Sequence, residues 1–291
     1  MARLKDFLRP VARKIGLAAP AGAWDDLGHV PWETPKAAGK PRACNICHWT
    51  GEEFIGPAHC EMATCPRCGS IARDRFLLLS FLSRTPRRSG LRVLETSPRL
   101  GARYRRMMRR CFDYTASDYD LSAHEGDIRI DLQDIDLPSS SVDVLLTPHV
   151  LEHVPDTARA LREIHRVLSP GGRMYLQVPV LRGETTVPTE PEYHADNTLV
   201  FFNFGWDLTN TIRSAGFAVR VLVTEQFKNV LTNRSIEPTD TDPQFDVPSM
   251  WRSAVIEDLE AVADARTTDL YGFSPAHQYV TWECIKSVDG N

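Results

Sequence analysis

The chain has 291 residues, of which 42% are hydrophobic and 25% charged, and its formal net charge is −4. This ordinary globular composition excludes a disordered or fibrous protein. No stretch approaches the roughly 18 apolar residues of a membrane-spanning helix, and the N-terminus lacks the apolar core of a secretory signal. We therefore expect a cytoplasmic protein with one large α/β domain and a small accessory module.

The charge is unevenly distributed along the chain. Residues 1–110 hold 21 Lys or Arg against 9 Asp or Glu, whereas residues 111–291 hold 13 against 29. The front part therefore carries +12 and the remainder −16. Such asymmetry indicates either a basic face that meets an anion, or two parts of one molecule that attract each other.

Residues 1–42 form a basic amphipathic segment followed by a linker. Within residues 3–17, apolar side chains fall on one face of a helical pattern that Pro10 interrupts, and basic side chains occupy the rest. This stretch could make peripheral contact with an anionic membrane or dock its apolar stripe on the protein itself. Residues 18–42 are rich in Ala, Pro and Gly, which is typical of a linker.

Five of the seven cysteines lie between Cys44 and Cys68. Two C-x2-C pairs, separated by 17 residues, match the spacing of a structural zinc ribbon. Four thiolates in a tetrahedral array select zinc and leave no open position for chemistry. The expected ligands are Cys44, Cys47, Cys65 and Cys68, with Cys60, His48 and His59 as substitutes or bystanders; a redox pair is the alternative.

The segments after the cysteines alternate between short apolar runs and helical patterns, which indicates βαβ units and a parallel sheet. The predicted helices are Ile71–Leu82, Gly101–Arg110, Thr157–Leu168, Leu208–Ala215 and one around Trp251–Ala265. The predicted strands are Leu91–Thr96, Asp113–Ser117, Asp127–Asp131, Val142–Thr147, Gly172–Pro179, Ala218–Val223 and Tyr279–Lys286. The expected domains are a zinc ribbon with its connecting helix (43–84), a core (88–227 plus 276–288) and an insertion (228–275) that lids the crevice or makes a dimer contact.

Open parallel sheets bind ligands outside the carboxyl ends of their strands. The loop that ends at Gly101 follows the first strand, and Asp118 ends the second strand, where a carboxylate can bind ribose hydroxyls. Asp131 ends the third strand, and His149 follows the fourth. These positions therefore converge on one crevice.

Residues 140–179, with the sequence SSVDVLLTPHVLEHVPDTARALREIHRVLSPGGRMYLQVP, resemble the class I S-adenosylmethionine-dependent methyltransferases. The whole chain is similar to a narrower group, the methyltransferase type 11-like proteins with an N-terminal four-cysteine zinc ribbon. CPRCGS-x-x-R (65–73), PEYHADN (191–197) and FGWDLTNTIRSAGF (204–217) carry that similarity. The resemblance implies a Rossmann-like seven-stranded sheet, S-adenosylmethionine as cofactor, structural zinc and methyl transfer.

The resemblance also assigns roles by position. Residues 93–101 lie on the family's first motif, where Ser97 and Arg99 stand in place of the usual glycines. Asp118 matches the acid that binds ribose, Asp131 and Leu132 match the pair that faces adenine, and residues 147–149 match the loop beside methionine. The implied cofactor contacts are Glu95, Thr96, Ser97, Gly101, Asp118, Tyr119, Asp131, Leu132, Thr147, Pro148 and His149.

Methyl transfer needs positioning, a dry pocket and sometimes a base that deprotonates the acceptor. His149 is the first candidate base, because an imidazole can titrate near neutrality. Tyr193 and His194 are alternative bases or substrate contacts, and His153 is a structural partner of the loop. Trp206 and Asp207 could form a pocket wall, or serve as core and helix cap. An arginine-rich helix could bind phosphates or acidic sugars, or be solvated; its arginines are Arg103, Arg105, Arg106, Arg109 and Arg110.

Three functions remain open at this point. The first is an S-adenosylmethionine-dependent methyltransferase of a small-molecule, metabolite or glycan acceptor, with O- or N-methylation favoured over C-methylation. The second is an RNA methyltransferase whose zinc ribbon grips RNA, although the ribbon carries few basic or aromatic residues. The third is a non-catalytic adaptor that kept the fold, a hypothesis motivated by Ser97 and Arg99.

Overall fold

The computed structural model describes a defined part of the chain. The basic segment 3–17, most of the linker, Cys60 and His59 lie outside the described residues, as do residues 195–197 of the PEYHADN motif. The described residues are 32, 34–35, 37, 39–56, 63–121, 126–180, 182–194, 198–233, 253, 255–273 and 280–288.

An eight-stranded mixed sheet forms the centre of the protein. In chain order the strands are β1 (Arg42–Ala43), β2 (Thr50–Gly51), β3 (Arg92–Thr96), β4 (Asp113–Asp118), β5 (Ile128–Arg129), β6 (Val142–Pro148), β7 (Leu168–Gln177), β8 (Glu192–Tyr193), β9 (Leu199–Val200), β10 (Phe217–Thr224), β11 (Leu259–Ala263) and β12 (Thr281–Lys286). The order across the central sheet is β11-β10-β12-β7-β6-β3-β4-β5, and only β12 runs antiparallel to its neighbours. The Rossmann-like expectation is confirmed, with an eighth strand added at one edge.

Helices cover both faces of the sheet and bury apolar side chains against it. They are α1 (Ala72–Arg84), α2 (Ala102–Cys111), α3 (Thr157–Val167), α4 (Leu208–Ser214), α5 (Glu225–Thr232) and α6 (Ala265–Tyr271), and a short 3-10 turn covers Leu151–His153. Helix α3 shows why these segments are helical. Ala160, Leu161, Ile164 and Val167 recur at helical spacing and are fully buried, while the Asp156 side chain caps the helix by accepting from the Arg159 amide at 2.8 Å.

The helix expected around Trp251–Ala265 is wrong where the structure describes that range. Leu259–Ala263 is strand β11, which pairs in parallel with β10, and helix α6 begins only afterwards. Ala and Glu favour a helix locally, but pairing at the open edge of the sheet outweighs that small preference. The described part of the expected insertion therefore extends the sheet.

The cysteine module, residues 39–56 and 63–70, packs beside the sheet with β1 and β2 as a small hairpin. Arg75 at the start of α1 anchors it, because this fully buried guanidinium donates to the carbonyls of Tyr271, Ser70 and Ala63, each at 2.8 Å. The Arg75 guanidinium also lies over the Phe54 ring at 3.9 Å. These contacts join the module, α1 and α6 into one body.

Several ion pairs join the basic front part of the chain to the acidic remainder. Arg92 donates to the Asp143 carboxylate at 2.6 Å, and Arg109 contacts Asp127 at 2.7 Å. Arg84 reaches the buried Glu283 at 3.0 Å. In each pair the cation comes from the basic front part and the anion from the acidic remainder. The two-part attraction is therefore the better interpretation for these residues.

Candidate functional site

The four cysteines of the two C-x2-C pairs meet at one point. The sulfurs of Cys44 and Cys68 are 3.8 Å apart, and those of Cys47 and Cys65 are 3.6 Å apart. A tetrahedral zinc ion with Zn–S bonds of about 2.3 Å separates its sulfurs by about 3.8 Å. The four sulfurs therefore fit a zinc ion, and His48 is not part of the group.

The two pairs adopt matching turns. The His48 amide donates to the Cys44 carbonyl at 2.8 Å, and the Gly69 amide donates to the Cys65 carbonyl at 2.9 Å. His48 and Gly69 both have left-handed backbone, with φ of 55° and 73°. Gly69 adopts this conformation at little cost because it lacks a Cβ, as the sequence predicts. Each turn directs two thiols toward the same centre.

The segments predicted to form the crevice lie at one edge of the sheet. Strands β3, β4, β5 and β6 are parallel neighbours, so their carboxyl ends share that edge. The register pairs Thr96 with Ser117, Asp118 with Arg129 and Glu95 with Leu146. The structure therefore brings together the loops that begin near residues 96, 118, 130 and 147.

The carboxyl group of Glu95 lies inside the protein. Its side chain is buried, and its Oε2 accepts from the hydroxyls of Tyr104 at 3.1 Å and Tyr114 at 2.7 Å. Burial raises the pKa of Glu95 to about 7, and the two tyrosine hydrogen bonds only partly oppose that shift. The carboxylate is thus engaged beneath helix α2, and Glu95 supports the crevice loop from below.

The loop after β3 is held by the cysteine module. Ser97 has a left-handed φ of 47°, and its amide donates to the Ser117 carbonyl at 2.7 Å. Arg99 donates to the Gly69 carbonyl at 3.0 Å and to Asp74 Oδ2 at 2.6 Å. The family resemblance leads us to expect glycine at this position. Arg99 instead attaches the loop after β3 to the cysteine module. A Cβ added at Gly101 would meet nothing within 4 Å, so the space beside it is open.

Two carboxylates stand at the ends of neighbouring strands. Asp118 is 6% exposed, and its Oδ1 accepts from the Asp120 amide at 2.9 Å, whereas the adjacent Tyr119 is 60% exposed. Asp131 Oδ1 accepts from the Gln133 amide at 2.8 Å, and the Leu132 side chain belongs to the apolar core. Asp118 and Asp131 are where ribose and adenine contacts are expected.

The loop after β6 carries an unusual histidine. Thr147 is fully buried, and its hydroxyl finds no hydrogen-bond partner among the described residues. His149 has a left-handed φ of 53°, and its amide donates to the Gln177 carbonyl at 2.8 Å. An Arg73 guanidinium nitrogen lies 3.3 Å from His149 Nδ1. The conformation of this loop therefore depends on β7 and on helix α1.

Sequence reasoning missed Glu152, although it lies inside the HVLEHV segment that carried the resemblance. Glu152 is 1% exposed, and its Oε1 is 3.4 Å from His149 Nδ1. Burial opposes ionisation of Glu152, but His149, a backbone amide and His153 together outweigh it and leave the pKa of Glu152 below its ordinary value. Arg73, also missed, belongs to the quoted CPRCGS-x-x-R motif. Both residues lie in motifs that the sequence singles out, and those motifs were the available signal.

The two other candidate histidines lie next to each other. The rings of His153 and His194 meet edge to face, with centroids 4.7 Å apart. His153 Nδ1 is 2.7 Å from the Leu199 carbonyl, so His153 does hold the neighbouring loop. Tyr193, just before His194 on β8, is 57% exposed.

The remaining candidates have structural partners. Trp206 is 2% exposed and packs against Trp282, while Asp207 accepts from the Thr185 amide at 2.8 Å and makes no side-chain cap on α4. On α2, Arg105 is buried, Arg109 pairs with Asp127, and Arg103 lines a cavity of about 220 Å³ beside the module. Trp206 is thus a core residue. The arginine helix is used mainly for packing and pairing.

Comparison with known proteins identifies part of the chain. Residues 100–176 match the model of a methyltransferase domain. A 49-residue stretch is 45% identical to an uncharacterized 37.1 kDa protein in transposon TN4556 of Streptomyces fradiae. That match spans 17% of this chain and 14% of the relative, so it leaves the whole protein's activity open.

Solved structures of similar shape have low identity to this chain. The [4+2]-cyclase SpnF is 15% identical, with a TM-score of 0.44, and the alignment covers 98% of this chain and 94% of SpnF. Phosphoethanolamine N-methyltransferase 2 of Haemonchus contortus is 15% identical, with a TM-score of 0.41 over 81% of this chain and 55% of that one. Likenesses this distant say nothing about substrate.

No helix in the described part of the chain is long and apolar enough to cross a membrane. The sheet order, the crevice at its edge and the matched residues 100–176 agree with one another. Residues 100–176 therefore match a methyltransferase domain model within a Rossmann-like sheet, and a module of four clustered cysteines precedes them.

Proposed function

We propose that the protein transfers a methyl group from S-adenosylmethionine to a small-molecule, metabolite or glycan acceptor. The observation that carries this proposal is the meeting of four strand ends at one edge, with buried Asp118 among them. A buried carboxylate at that position suits the two hydroxyls of a ribose. O- or N-methylation is favoured because the crevice edge includes a histidine that can accept a proton.

The chain's residues position the reactants. S-adenosylmethionine, when bound, supplies a methyl group on a positively charged sulfur that leaves readily. Asp118 would hold the ribose, the Asp131 loop would border adenine, and residues 147–149 would border the methionine portion. The left-handed backbone at His149 turns that loop at the carboxyl end of β6. Catalysis of this kind relies on orientation and on exclusion of water.

His149 is the proposed base for the acceptor proton. Arg73 can only donate a hydrogen bond and ionised Glu152 can only accept one, so they compete for His149 Nδ1. When Nδ1 carries its hydrogen toward Glu152, Nε2 keeps the lone pair that accepts a proton. Tyr193 and His194 remain the alternative bases or substrate contacts, on the hairpin that packs beside the Leu151–His153 turn.

The contacts of the arginine side chains favour a small acceptor over RNA, because these side chains bind groups of the protein itself. Arg84, Arg92 and Arg109 pair with carboxylates of the acidic part. In the cysteine module, Arg67 donates to the Cys47 carbonyl at 3.1 Å, and Arg42 donates to the Asp269 carbonyl at 2.6 Å. Cations engaged in this way are poorly placed to neutralise phosphates. We also propose that zinc occupies the four-cysteine site and holds the module together.

Transfer of a tritiated methyl group tests this function. Zinc-loaded protein is incubated with labelled S-adenosylmethionine and with separate small-molecule, glycan and total-RNA fractions of the source organism. We expect label in a small-molecule or glycan fraction, and loss of that label with Asp118→Asn. Label found in RNA alone would overturn the proposed acceptor class and favour the RNA methyltransferase.

Asp113→Asn is the matched control for Asp118→Asn. Asp113 is the first residue of strand β4 and Asp118 is the last. Asp113 therefore lies at the amino ends of the parallel strands, away from the crevice. We expect Asp113→Asn to transfer methyl groups like the wild type. Equal loss in both variants would indicate damage to the sheet and would remove the support for a ribose contact.

A further inference from the structure

Three residues near the crevice form a cluster of potential metal ligands, a role that the proposed function does not give them. Glu152, His153 and His194 each offer one ligand atom, and these three atoms lie within 4.8 Å of one another. Two imidazoles and one carboxylate form a donor set that suits divalent transition metals. The cluster joins the turn after β6 to the hairpin of β8 and β9, two segments that are distant in the chain.

The backbone holds these two segments together. The Phe201 amide donates to the Glu152 carbonyl at 2.8 Å, and the His194 amide donates to the Thr198 carbonyl at 3.0 Å. His153 Nδ1 lies 2.7 Å from the Leu199 carbonyl, which can only accept. The hairpin is therefore fixed against the Leu151–His153 turn by main-chain contacts, and the histidine pair is a built feature of the fold.

The contact with Leu199 determines which nitrogen of His153 is available. Because a carbonyl accepts, Nδ1 must carry the hydrogen, and Nε2 keeps its lone pair in the neutral ring. Histidines that bind metals commonly donate their second ring nitrogen to a backbone carbonyl in this manner. His153 is thus oriented as a ligand before any ion arrives.

Glu152 supplies an independent observation. Its side chain is 1% exposed, yet neither carboxylate oxygen has a hydrogen-bond partner among the described residues. The contact of Oε1 with His149 Nδ1, at 3.4 Å, is long for a hydrogen bond. A buried carboxylate normally has close hydrogen bonds or coordinates a metal. A buried carboxylate with only this one long contact, beside two imidazoles, has the surroundings of a metal ligand.

We propose that Glu152, His153 and His194 bind a divalent transition-metal ion such as Zn²⁺, Co²⁺ or Mn²⁺. Ligand distances of about 2.1 Å place two ligands of one ion at most about 4.2 Å apart, so small side-chain rotations close this site. Three protein ligands leave open positions, as in catalytic rather than structural metal sites. The cysteine site, with four thiolates, leaves none.

The metal-binding proposal does not depend on the proposed methyl transfer, because metal affinity is measured without cofactor or acceptor. Protein whose cysteine site has been filled with one equivalent of zinc is titrated with Co²⁺ and followed by calorimetry and visible absorption. We expect one further equivalent of Co²⁺, with the weak bands of nitrogen and oxygen ligands and without the intense thiolate-to-cobalt band.

Two variants locate the site. Glu152→Gln and His194→Gln should each weaken Co²⁺ binding at least tenfold, because each removes a direct ligand. His194 lies at the end of a short strand outside the central sheet, so His194→Gln should fold even if the buried Glu152→Gln does not. Glu192→Gln is the matched control, since it removes a nearby exposed carboxylate and should bind Co²⁺ like the wild type.

Three results would overturn the proposal. The first is that zinc-filled wild type takes up no second equivalent of Co²⁺. The second is an intense thiolate band, which would mean that cobalt has replaced zinc at the cysteines. The third is a folded His194→Gln protein with unchanged affinity, which would place the second ion elsewhere.

Discussion

The cysteine module and the crevice are built on different principles. The module's four sulfurs converge through two near-identical local turns, each closed by a left-handed residue, His48 or Gly69. The crevice is assembled from loops that follow separate strands, and its left-handed residues, Ser97 and His149, are kept in place by long-range contacts. Local spacing thus defines the first region, whereas tertiary packing defines the second.

The two regions are nevertheless joined at two points. Arg99 fastens the loop after β3 to the Gly69 carbonyl and to Asp74, and Arg73 reaches His149 in the loop after β6. Two of the four crevice loops therefore depend on residues that closely follow the second cysteine pair. The comparison indicates that a module built by local turns can position crevice loops that lie outside it.

Loss of the module should have the largest effect. Cys65→Ser removes one zinc ligand, and zinc binding supplies on the order of 10 kcal/mol in small zinc modules. We expect loss of bound zinc and unfolding of the cysteine module, residues 39–56 and 63–70. Affinity for S-adenosylmethionine should fall at least tenfold, because Arg99 loses the Gly69 carbonyl and helix α1, which carries Arg73, loses the module packed against it. Zinc analysis, limited proteolysis and calorimetry measure these changes.

Cys111→Ser is the control for this change, since Cys111 ends helix α2 and is not among the four clustered cysteines. It should keep both zinc and cofactor affinity. If Cys65→Ser loses zinc yet binds S-adenosylmethionine normally, the crevice is independent of the module and the link drawn above is wrong.

The buried Glu95, beneath the crevice loop, should make the free energy of unfolding depend on pH. Its pKa is about 7 in the folded protein, against an ordinary 4.5, because burial disfavours the charge. The folded state therefore loses stability as pH rises from about 4.5, and the loss levels off above about 7. Relative to Glu95→Gln, we expect the wild type to lose roughly 3 kcal/mol of unfolding free energy across that range.

Urea unfolding of both proteins at several pH values measures this difference. Glu95→Gln keeps the shape of the side chain and an acceptor for one tyrosine, so it should fold at every pH tested. A constant difference between the two proteins from about pH 4.5 to about pH 8 would contradict the buried, proton-binding Glu95.

Removing only the Arg99 contacts with Gly69 and Asp74 should have the smallest effect on stability and cofactor affinity. Arg99 is partly exposed, so its pair with Asp74 contributes less than about 1 kcal/mol to stability. Arg99→Ala should leave thermal unfolding almost unchanged. It should weaken S-adenosylmethionine binding about threefold to tenfold, because the freed loop must be ordered on binding. Arg110→Ala, which changes an exposed arginine at the far end of α2, should leave cofactor affinity unchanged.

Most of the fold could be predicted from sequence because its apolar residues recur at clear strand or helix spacing. Strands β3, β4 and β6 and helix α3 lie within a residue or so of their predicted bounds. Strand β11 could not be predicted, because LEAVA has helix-favouring residues and becomes a strand only by pairing with β10. Strand β7 begins at Leu168, earlier than the predicted Gly172, since it continues through the Pro-Gly-Gly sequence at residues 170–172.

A site could be predicted from sequence where all of its residues lie in one motif. The four cysteines follow from spacing alone, whereas the crevice residues followed from a family resemblance. The partners of Glu95 and Arg99 could not be inferred, because Tyr114 and Asp74 come from other elements of the fold. The meeting of His153 with His194 likewise requires the hairpin to fold back.

The central claim is that the edge of the sheet binds S-adenosylmethionine through Asp118. Calorimetric titration of zinc-loaded wild type, Asp118→Asn and Asp113→Asn with S-adenosylmethionine tests it directly. We predict saturable binding by the wild type and Asp113→Asn, and affinity weaker by about 10- to 100-fold for Asp118→Asn, which loses charge-assisted hydrogen bonds to ribose. A folded, zinc-replete wild type that binds no S-adenosylmethionine would contradict the claim and favour a non-catalytic adaptor.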